Sequence, residues 1–470
     1  MKYLTILFVA IGGWLSAADS RPNVVLIMSD DQGWGQTGYN GHPHLKTPHL
    51  DEMAANGLRL DRFYAGASNC SPTRATVLTG RTNDRTGVQN HGYPLRLQEK
   101  TIAGALRDHG YTTAHFGKWH LNGLRGPGVP VLKEDTHSPG AFGFDHWLTV
   151  TNYFDRNPIL SRMGEFEEFE GDSSEVVIGE ALKFIEKQQN SNKPVFVVVW
   201  YGSPHSPMIA DEDDRSQFAN LKSDTGNHLG ELVAMDRSIG TLRSGLRDLG
   251  IADDTLVWFN SDNGGLKNYG PETVGGLRGH KNQMYEGGLR VPCLIEWPKV
   301  INPGRQSYFP AGTVDIFPTI AAITGLDPDT VMIKPYDGIS LFELFKKDVV
   351  ARQKPLGFRH DGRGVLIDYP FKYIIQNGKE EMYHLNEDKS ESKNLVATKP
   401  KIAARLRKEY NKWNAGVEAS VLGKDYPEGA VDSNQPERRF WNTDPAYEEH
   451  LDAWKDRPEY RRWVKKRQNP

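Results

Sequence analysis

Asn23-Val-Val-Leu-Ile-Met-Ser-Asp-Asp31 is a short apolar run that stops abruptly at a hydroxyl and two acids. Three later runs repeat the pattern. Tyr111 to Phe116 leads into Gly117, Lys118, Trp119 and His120, and Pro194 to Trp200 leads through Tyr201 and Gly202 to Pro204, His205 and Pro207. Thr255 to Asn260 leads into Ser261, Asp262, Asn263, Gly264 and Gly265. Such β-branched runs alternate with helical segments, the pattern of an α/β protein with a large, mainly parallel central sheet flanked by helices. Ligands of an open parallel sheet sit just beyond the carboxyl ends of its strands. The four polar strand ends are therefore expected to converge on one site.

A chain of 470 residues exceeds one ordinary core, so a large domain and a smaller one are expected. The texture changes near residue 350. Gly357 to Asp368, Phe371 to Gln376 and Glu381 to Leu385 read as short antiparallel strands, and Lys401 to Val417 as an amphipathic helix. The expected division is a catalytic domain over 19–350 and a C-terminal subdomain over 351–470 with a polar tail. That tail, ending Arg461-Arg-Trp-Val-Lys-Lys-Arg467, reads as a solvated helix end.

A net charge of −3 creates no general field for polyanions, so nucleic acid is not an expected partner. An anionic substrate would need a local cluster of cations. Residues 1–18 read as a signal peptide: Lys2, an apolar run from Leu4 to Leu15, then Ser16-Ala17-Ala18 before Asp19. That run is short for a membrane span and no later stretch is long and apolar enough, so a secreted or periplasmic protein without a membrane anchor is expected.

Two cysteines remain. Cys293 lies in an apparent buried strand, Val291 to Trp297, where a free thiol packs as a small hydrophobe, so a disulfide with Cys70 is not expected. Cys70 precedes Ser71-Pro-Thr-Arg-Ala-Thr-Val-Leu-Thr-Gly80, which reads as a helix with Ser71 as N-cap, Pro72 at the first position and Gly80 closing the far end. Cys70 would then sit where free N–H groups and the helix dipole favour negative charge, with Arg74 one turn away.

Cys70-Ser-Pro-Thr-Arg74 followed by Leu78-Thr-Gly-Arg81 resembles the signature of type I sulfatases, in the alkaline phosphatase superfamily. Thr73 stands where Ser is usual, and the Cys-x-Pro-x-Arg core is kept. Asp30-Asp-Gln-Gly33, Gly117-Lys-Trp-His-Leu121, Pro204-His-Ser-Pro207, Asn260-Ser-Asp-Asn-Gly-Gly265 and Gly279-His-Lys281 are similar to further family blocks, in the expected order. The resemblance implies a sulfuric ester hydrolase whose cysteine is oxidised to formylglycine by a maturation enzyme. It implies one Ca2+ or Mg2+ ion held by Asp30, Asp31, Asp262, Asn263 and modified Cys70. All of these ligands are oxygens, which suits a hard cation.

The resemblance also distributes roles. Arg74 and Lys118 would orient the aldehyde hydrate of residue 70, and Lys281 would hold the sulfate. His205 would serve the leaving oxygen, and His120 would remove a proton as sulfate departs. A sulfated carbohydrate is the expected substrate, with Tyr153 to Arg156, His360 and Arg363 as candidate recognition residues. Glu286 and Arg290 read as a structural pair. Two other readings stand beside this one: a phosphodiesterase or phosphonate monoester hydrolase of the same superfamily, and a non-catalytic carbohydrate-binding relative. Members of the first typically carry Asp-His where this chain has Asp262-Asn263.

Overall fold

A computed structural model describes residues 21–191 and 193–468; the expected signal peptide lies outside them. The main sheet is built from β1 (Asn23–Ser29), β2 (Leu58–Leu60), β3 (Thr112–Lys118), β4 (His146–Val150), β5 (Ile159–Arg162), β6 (Glu165–Glu168), β7 (Val195–Trp200), β8 (Thr255–Ser261), β9 (Cys293–Glu296) and β10 (Arg305–Ser307). Their spatial order is β10-β2-β9-β8-β1-β7-β3-β4-β5-β6. The middle five strands, β8 to β4, run parallel, and antiparallel pairs appear only outward of them.

Successive side chains of β1 bury into opposite layers. Val24, Leu26 and Met28 join one apolar cluster with Phe196, Val198 and Trp200 of β7. Val25 and Ile27 join the other with Val195, Val197 and Val199. The first layer is covered by α1 (Cys70–Thr79), through Ala75, Val77 and Leu78. The second is covered by α2 (Ser173–Gln188) and α3 (Ser223–Asp248). Burial of both faces explains why these strands read as unbroken apolar runs.

The helix that carries Cys70 begins two residues earlier than the sequence suggests. Asn69, in extended conformation, is the N-cap and Cys70 is the first helical residue. Ser71 does not cap; its Oγ accepts the Gly92 N–H at 2.8 Å instead. Gly80 does close the helix, in the left-handed region at φ 66°. Both cysteines are free and buried, Cys293 in β9.

Beyond the main sheet, β11 (Leu356–His360), β12 (Arg363–Asp368), β13 (Phe371–Gln376) and β14 (Lys379–His384) form an antiparallel sheet. Val365 and Ile367 pack toward Tyr64, Met284 and Leu289 of the larger part, whereas Leu366 points to the opposite face. That face is covered by α4 (Pro400–Val421), through Ala403, Leu406 and Tyr410.

The C-terminal tail departs from the expected solvated helix end. Its last helix, α5 (Pro458–Gln468), buries Tyr460 and Val464 with Trp441 and Trp454 against Leu124, Val129 and Ile159. Arg439 and Phe440 also add a short parallel strand to Leu124 and Arg125. The basic residues do line one face of α5, but its apolar face folds back onto the large sheet's loops. Among the described residues, no helix is long and apolar enough to cross a membrane.

Candidate active site

The carboxyl ends of β1, β3, β7 and β8 meet, as the topology demands. The Asp30 N–H donates to the Ser203 carbonyl at 3.0 Å, and the Asp262 N–H donates to the Ser29 carbonyl at 3.0 Å. Asp31 turns through the left-handed region at φ 67°, and its N–H donates to Asp262 Oδ1 at 3.1 Å. Two glycines allow the close approach of neighbouring loops. A Cβ on Gly33 would lie 1.9 Å from the Thr273 carbonyl oxygen, and one on Gly264 would lie 1.8 Å from that of Gly287.

Potential ligand atoms of Asp30, Asp31, Asp262 and Cys70 lie within 4.8 Å of one another, and all four residues are buried. The Cys70 S–H donates to Asp30 Oδ1 at 3.4 Å. Three cations surround the acids. Lys118 Nζ pairs with Asp30, while Arg74 Nη2 lies 2.9 Å from Asp262 Oδ2 and 3.7 Å from Asp30 Oδ2. Lys281 Nζ lies 2.6 Å from Asp31 Oδ1. The Arg74 guanidinium also sits over the Trp200 ring at 5.0 Å, which fixes its plane.

Asn263 donates Nδ2 to Asp31 Oδ1 at 2.8 Å, while its buried Oδ1 has no hydrogen-bond partner among the described residues. An unmatched buried carbonyl oxygen beside three carboxylates fits a hard cation. The crowding has an electrostatic signature. Burial, reinforced by Asp30, pushes the Asp262 carboxyl up to about 7. Burial would raise Asp30 too, but Lys118, His205 and Arg74 outweigh it and hold that carboxyl far below its usual range. Burial and Asp30 push the Cys70 thiol well above its ordinary value, so the unmodified side chain is a protonated thiol and a poor nucleophile.

His205 and His120 complete the inner surface. His205 Nδ1 pairs with the Ser206 carbonyl at 2.6 Å, which leaves Nε2 facing the site 3.7 Å from Asp31 Oδ2. Burial and Lys281 lower its pKa to about 4. His120 adopts φ 57°, and both ring nitrogens are buried without partners among the described residues. Burial, then Lys118, lowers its pKa well below the usual histidine range.

Cys70, His120, His205 and Lys281 open onto a cavity of about 500 Å³ whose wall includes Tyr153, His360, Phe440 and Trp463. Tyr153 stacks on His205 with ring centroids 4.5 Å apart and an 11° interplanar angle. His360 bonds Ser68 Oγ and Asn69 Nδ2, each at 3.0 Å, whereas Arg363 points to the Asn282 carbonyl beside the cavity. A larger cavity of about 840 Å³ shares Tyr153 as a wall, is lined also by Arg156 and Arg457, and includes none of Cys70, His120, His205 and Lys281.

All the metal and catalytic candidates named from the sequence are therefore brought together. Phe440 and Trp463 are not among the residues expected at the cavity; they lie in a polar, aromatic and basic tail whose local pattern does not say which aromatic residues reach it. Glu286 and Arg290 stand 4.0 Å apart, and Glu286 is held more closely by buried Lys372 at 3.0 Å.

Residues 22–326, well over half of the chain, match the sulfatase family model. The chain belongs to the sulfatase family. It is 32% identical over 371 residues to N-acetylgalactosamine-6-sulfatase of Canis lupus familiaris, covering 72% of this chain and 68% of that one. It is also 32% identical over 376 residues to arylsulfatase A of Homo sapiens, covering 70% and 69%. Among solved structures, Ps i-CgsB in complex with k-i-k-neocarrahexaose superposes with a TM-score of 0.75 at 23% identity, covering 95% of this sulfatase and 100% of that chain. The fold is thus that of sulfatases in the alkaline phosphatase superfamily, and the protein is a sulfatase enzyme.

Proposed function

We propose that this sulfatase is an exported hydrolase of sulfate monoesters on carbohydrates. It would act through a formylglycine made from Cys70 by a formylglycine-generating enzyme. A Ca2+ or Mg2+ ion would be held by Asp30, Asp31, Asp262, Asn263 and residue 70. The observation that carries the reading is Cys70 Sγ, 3.4 Å from Asp30 inside a buried cage of oxygen donors and fixed cations. The relatives support a sugar substrate: one is an N-acetylgalactosamine-6-sulfatase, and the superposed Ps i-CgsB is in complex with a neocarrahexaose. The signal peptide read over residues 1–18 supports export.

Cleavage of a sulfate monoester moves negative charge onto the bridging oxygen. The site must hold an anion, present a nucleophile and supply a proton to the leaving alcohol. When bound, the cation would supply Lewis acidity to the sulfate oxygens. Oxidation of Cys70 would supply a hydrated aldehyde with one hydroxyl to attack sulfur and a second whose collapse to C=O releases sulfate.

The remaining work falls to this chain's own side chains. Arg74 and Lys118, clamped on Asp262 and Asp30, orient residue 70 and neutralise the acids that crowd it. Lys281, anchored on Asp31 at the cavity floor, is placed to hold a sulfate oxygen. His205 offers Nε2 to the leaving oxygen, with its ring plane fixed by Tyr153. His120 has free ring nitrogens to take a proton from a hydroxyl of residue 70.

Asn263 favours this reading over a phosphonate or phosphodiester hydrolase, whose resembling members put histidine there for a softer metal. Occupation of every expected catalytic position speaks against a non-catalytic relative. The test has three parts: mass spectrometry of the peptide spanning Cys70, turnover of matched aryl sulfate and aryl phosphate esters, and chelation followed by re-addition of Ca2+ or Mg2+. An unmodified thiol in protein from its native host, or faster cleavage of the phosphate ester, would overturn the proposal.

A further inference from the structure

Arg125 enters the wall of the Cys70 cavity from the short strand Leu124–Arg125, next to His91. Its placement is built by three separate segments. The stem crosses Gly92 so closely that a Cβ there would lie 2.5 Å from Arg125 Cγ. The guanidinium sits 4.4 Å over the Phe440 ring contributed by the tail, and Nη2 lies 3.3 Å from His91 Nε2. A second guanidinium, Arg438, reaches the same His91 nitrogen at 3.3 Å and donates Nε–H to the His91 carbonyl at 2.8 Å.

His91 cannot neutralise either one. Its Nδ1 pairs with Asn90 Oδ1 at 3.0 Å, which leaves Nε2 as a neutral acceptor between two cations. Burial and the two arginines lower the imidazole pKa to about 4. Among the described residues, neither Arg125 nor Arg438 forms an ion pair with a carboxylate, and Arg125 Nε is buried without any partner. Asp361, the acid of the same cavity, is already engaged by Asn90, His360 and Arg363. Most other buried or half-buried arginines here have acids: Arg81 has Asp425, Arg85 has Asp337, Arg243 has Glu296 and Arg352 has Asp315.

We propose that Arg125, backed by Arg438 across His91, is a second anion subsite that binds a further sulfate or carboxylate of the substrate whose sulfate ester lies at Cys70. The inference rests on the carbohydrate sulfatase reading and narrows it to polyanionic sugars. Two like charges held together without an acid repel each other, and a bound anion relieves that repulsion. The planar guanidinium of Arg125, unpaired with any acid among the described residues, suits an oxyanion.

The test compares wild type with R125Q and R125K on three probes: 4-nitrophenyl sulfate, a monosulfated disaccharide, and the same disaccharide with a second sulfate or a uronate carboxylate. Expected for R125Q is a rise of roughly 10- to 100-fold in KM for the dianionic sugars, the scale of a lost charge-assisted pair. The aryl sulfate should move less than about threefold, and R125K should recover part of the loss because it keeps the charge but not the fork. The second-sulfate and uronate arms distinguish which anion is taken. Equal losses on all three probes would mean that Arg125 only braces the tail, and no loss on any would mean no subsite; either result overturns the proposal.

Calorimetric binding of the same disaccharides to a C70A chain keeps this test separate from the catalytic reading. Failure of turnover on every ester would sink the proposed function. Equal affinity of the C70A chain for the mono- and dianionic sugars would sink the subsite.

Discussion

Replacing Lys372 with methionine should weaken the attachment of the small sheet to the active-site loops, and the loss should grow with pH. Lys372, on β13, is fully buried 3.0 Å from Glu286 Oε1 and 2.9 Å from Glu391 Oε1. Glu286 opens the turn just after Lys281, accepts the Tyr64 hydroxyl at 3.1 Å, and its N–H donates to Glu391 Oε2 at 2.7 Å. One ammonium thus serves two buried carboxylates. Removing it leaves Glu391 without a cation and Glu286 with only the more distant Arg290 at 4.0 Å, a change that costs about 3–5 kcal/mol when one partner of a buried pair is lost.

Burial already pushes Glu391 up to about 7 against the pull of Lys372, so the variant should hold a proton there at neutral pH. A carboxyl whose folded pKa is raised contributes stability below its unfolded value near 4.3, and that stability is lost as pH rises. K372M should therefore be less stable than wild type by about 3–5 kcal/mol at pH 8 and by distinctly less at pH 5. Urea unfolding followed by tryptophan fluorescence at the two pH values measures both, and kcat/KM on an aryl sulfate reports the strain passed to Lys281. A deficit under about 1 kcal/mol, or one equal at pH 5 and pH 8, would refute the reasoning.

Three further outcomes are expected. G264A should drive a Cβ to within 1.8 Å of the Gly287 carbonyl, displace Asn263 and lower kcat by about 100-fold, which steady-state kinetics with metal analysis would register. Y153A removes the ring stacked on His205 and should reduce kcat about 2- to 12-fold with the fold intact by circular dichroism, the scale of one aromatic pair. E231Q should stabilise the protein at pH 8 but not at pH 5. Burial, with Asp155 and Asp172, holds the Glu231 carboxyl well above its ordinary value, so the wild type loses about 1.4 kcal/mol per pH unit between the unfolded and folded values, and a neutral amide does not. Parallel melting curves for wild type and E231Q across that range would contradict it.

The floor of the candidate site was legible because each part lies in a short stretch. An apolar run ending in Asp30-Asp31, or Cys70 ahead of a Pro and an Arg, shows its secondary structure within ten residues, and the resemblance to the sulfatase signature supplied the expected chemistry. The helix start differs by two positions because Asn69 and Ser71 are both good caps, and the Ser71 hydroxyl is taken by the Gly92 N–H, a contact outside the local sequence. The cavity wall was illegible for a different reason. Arg439–Phe440 is a strand of two residues with no periodicity of its own, held beside Arg125 by the burial of Trp441, Trp454 and Tyr460. Such placement is decided by long-range packing, so the tail's own sequence shows its aromatic residues and charges but not where they dock.

The depth of α1 sets a constraint on timing. Cys70, Pro72, Thr73 and Arg74 are all buried, and Arg74 is locked against Asp262, just past the end of β8 and nearly two hundred residues downstream. On the reading proposed above, an enzyme that had to grip the whole Cys-Ser-Pro-Thr-Arg segment would need it before β8 arrives to claim the arginine. Maturation and collapse of the chain would then compete, because in the folded chain only the Cys70 end of that segment reaches the cavity.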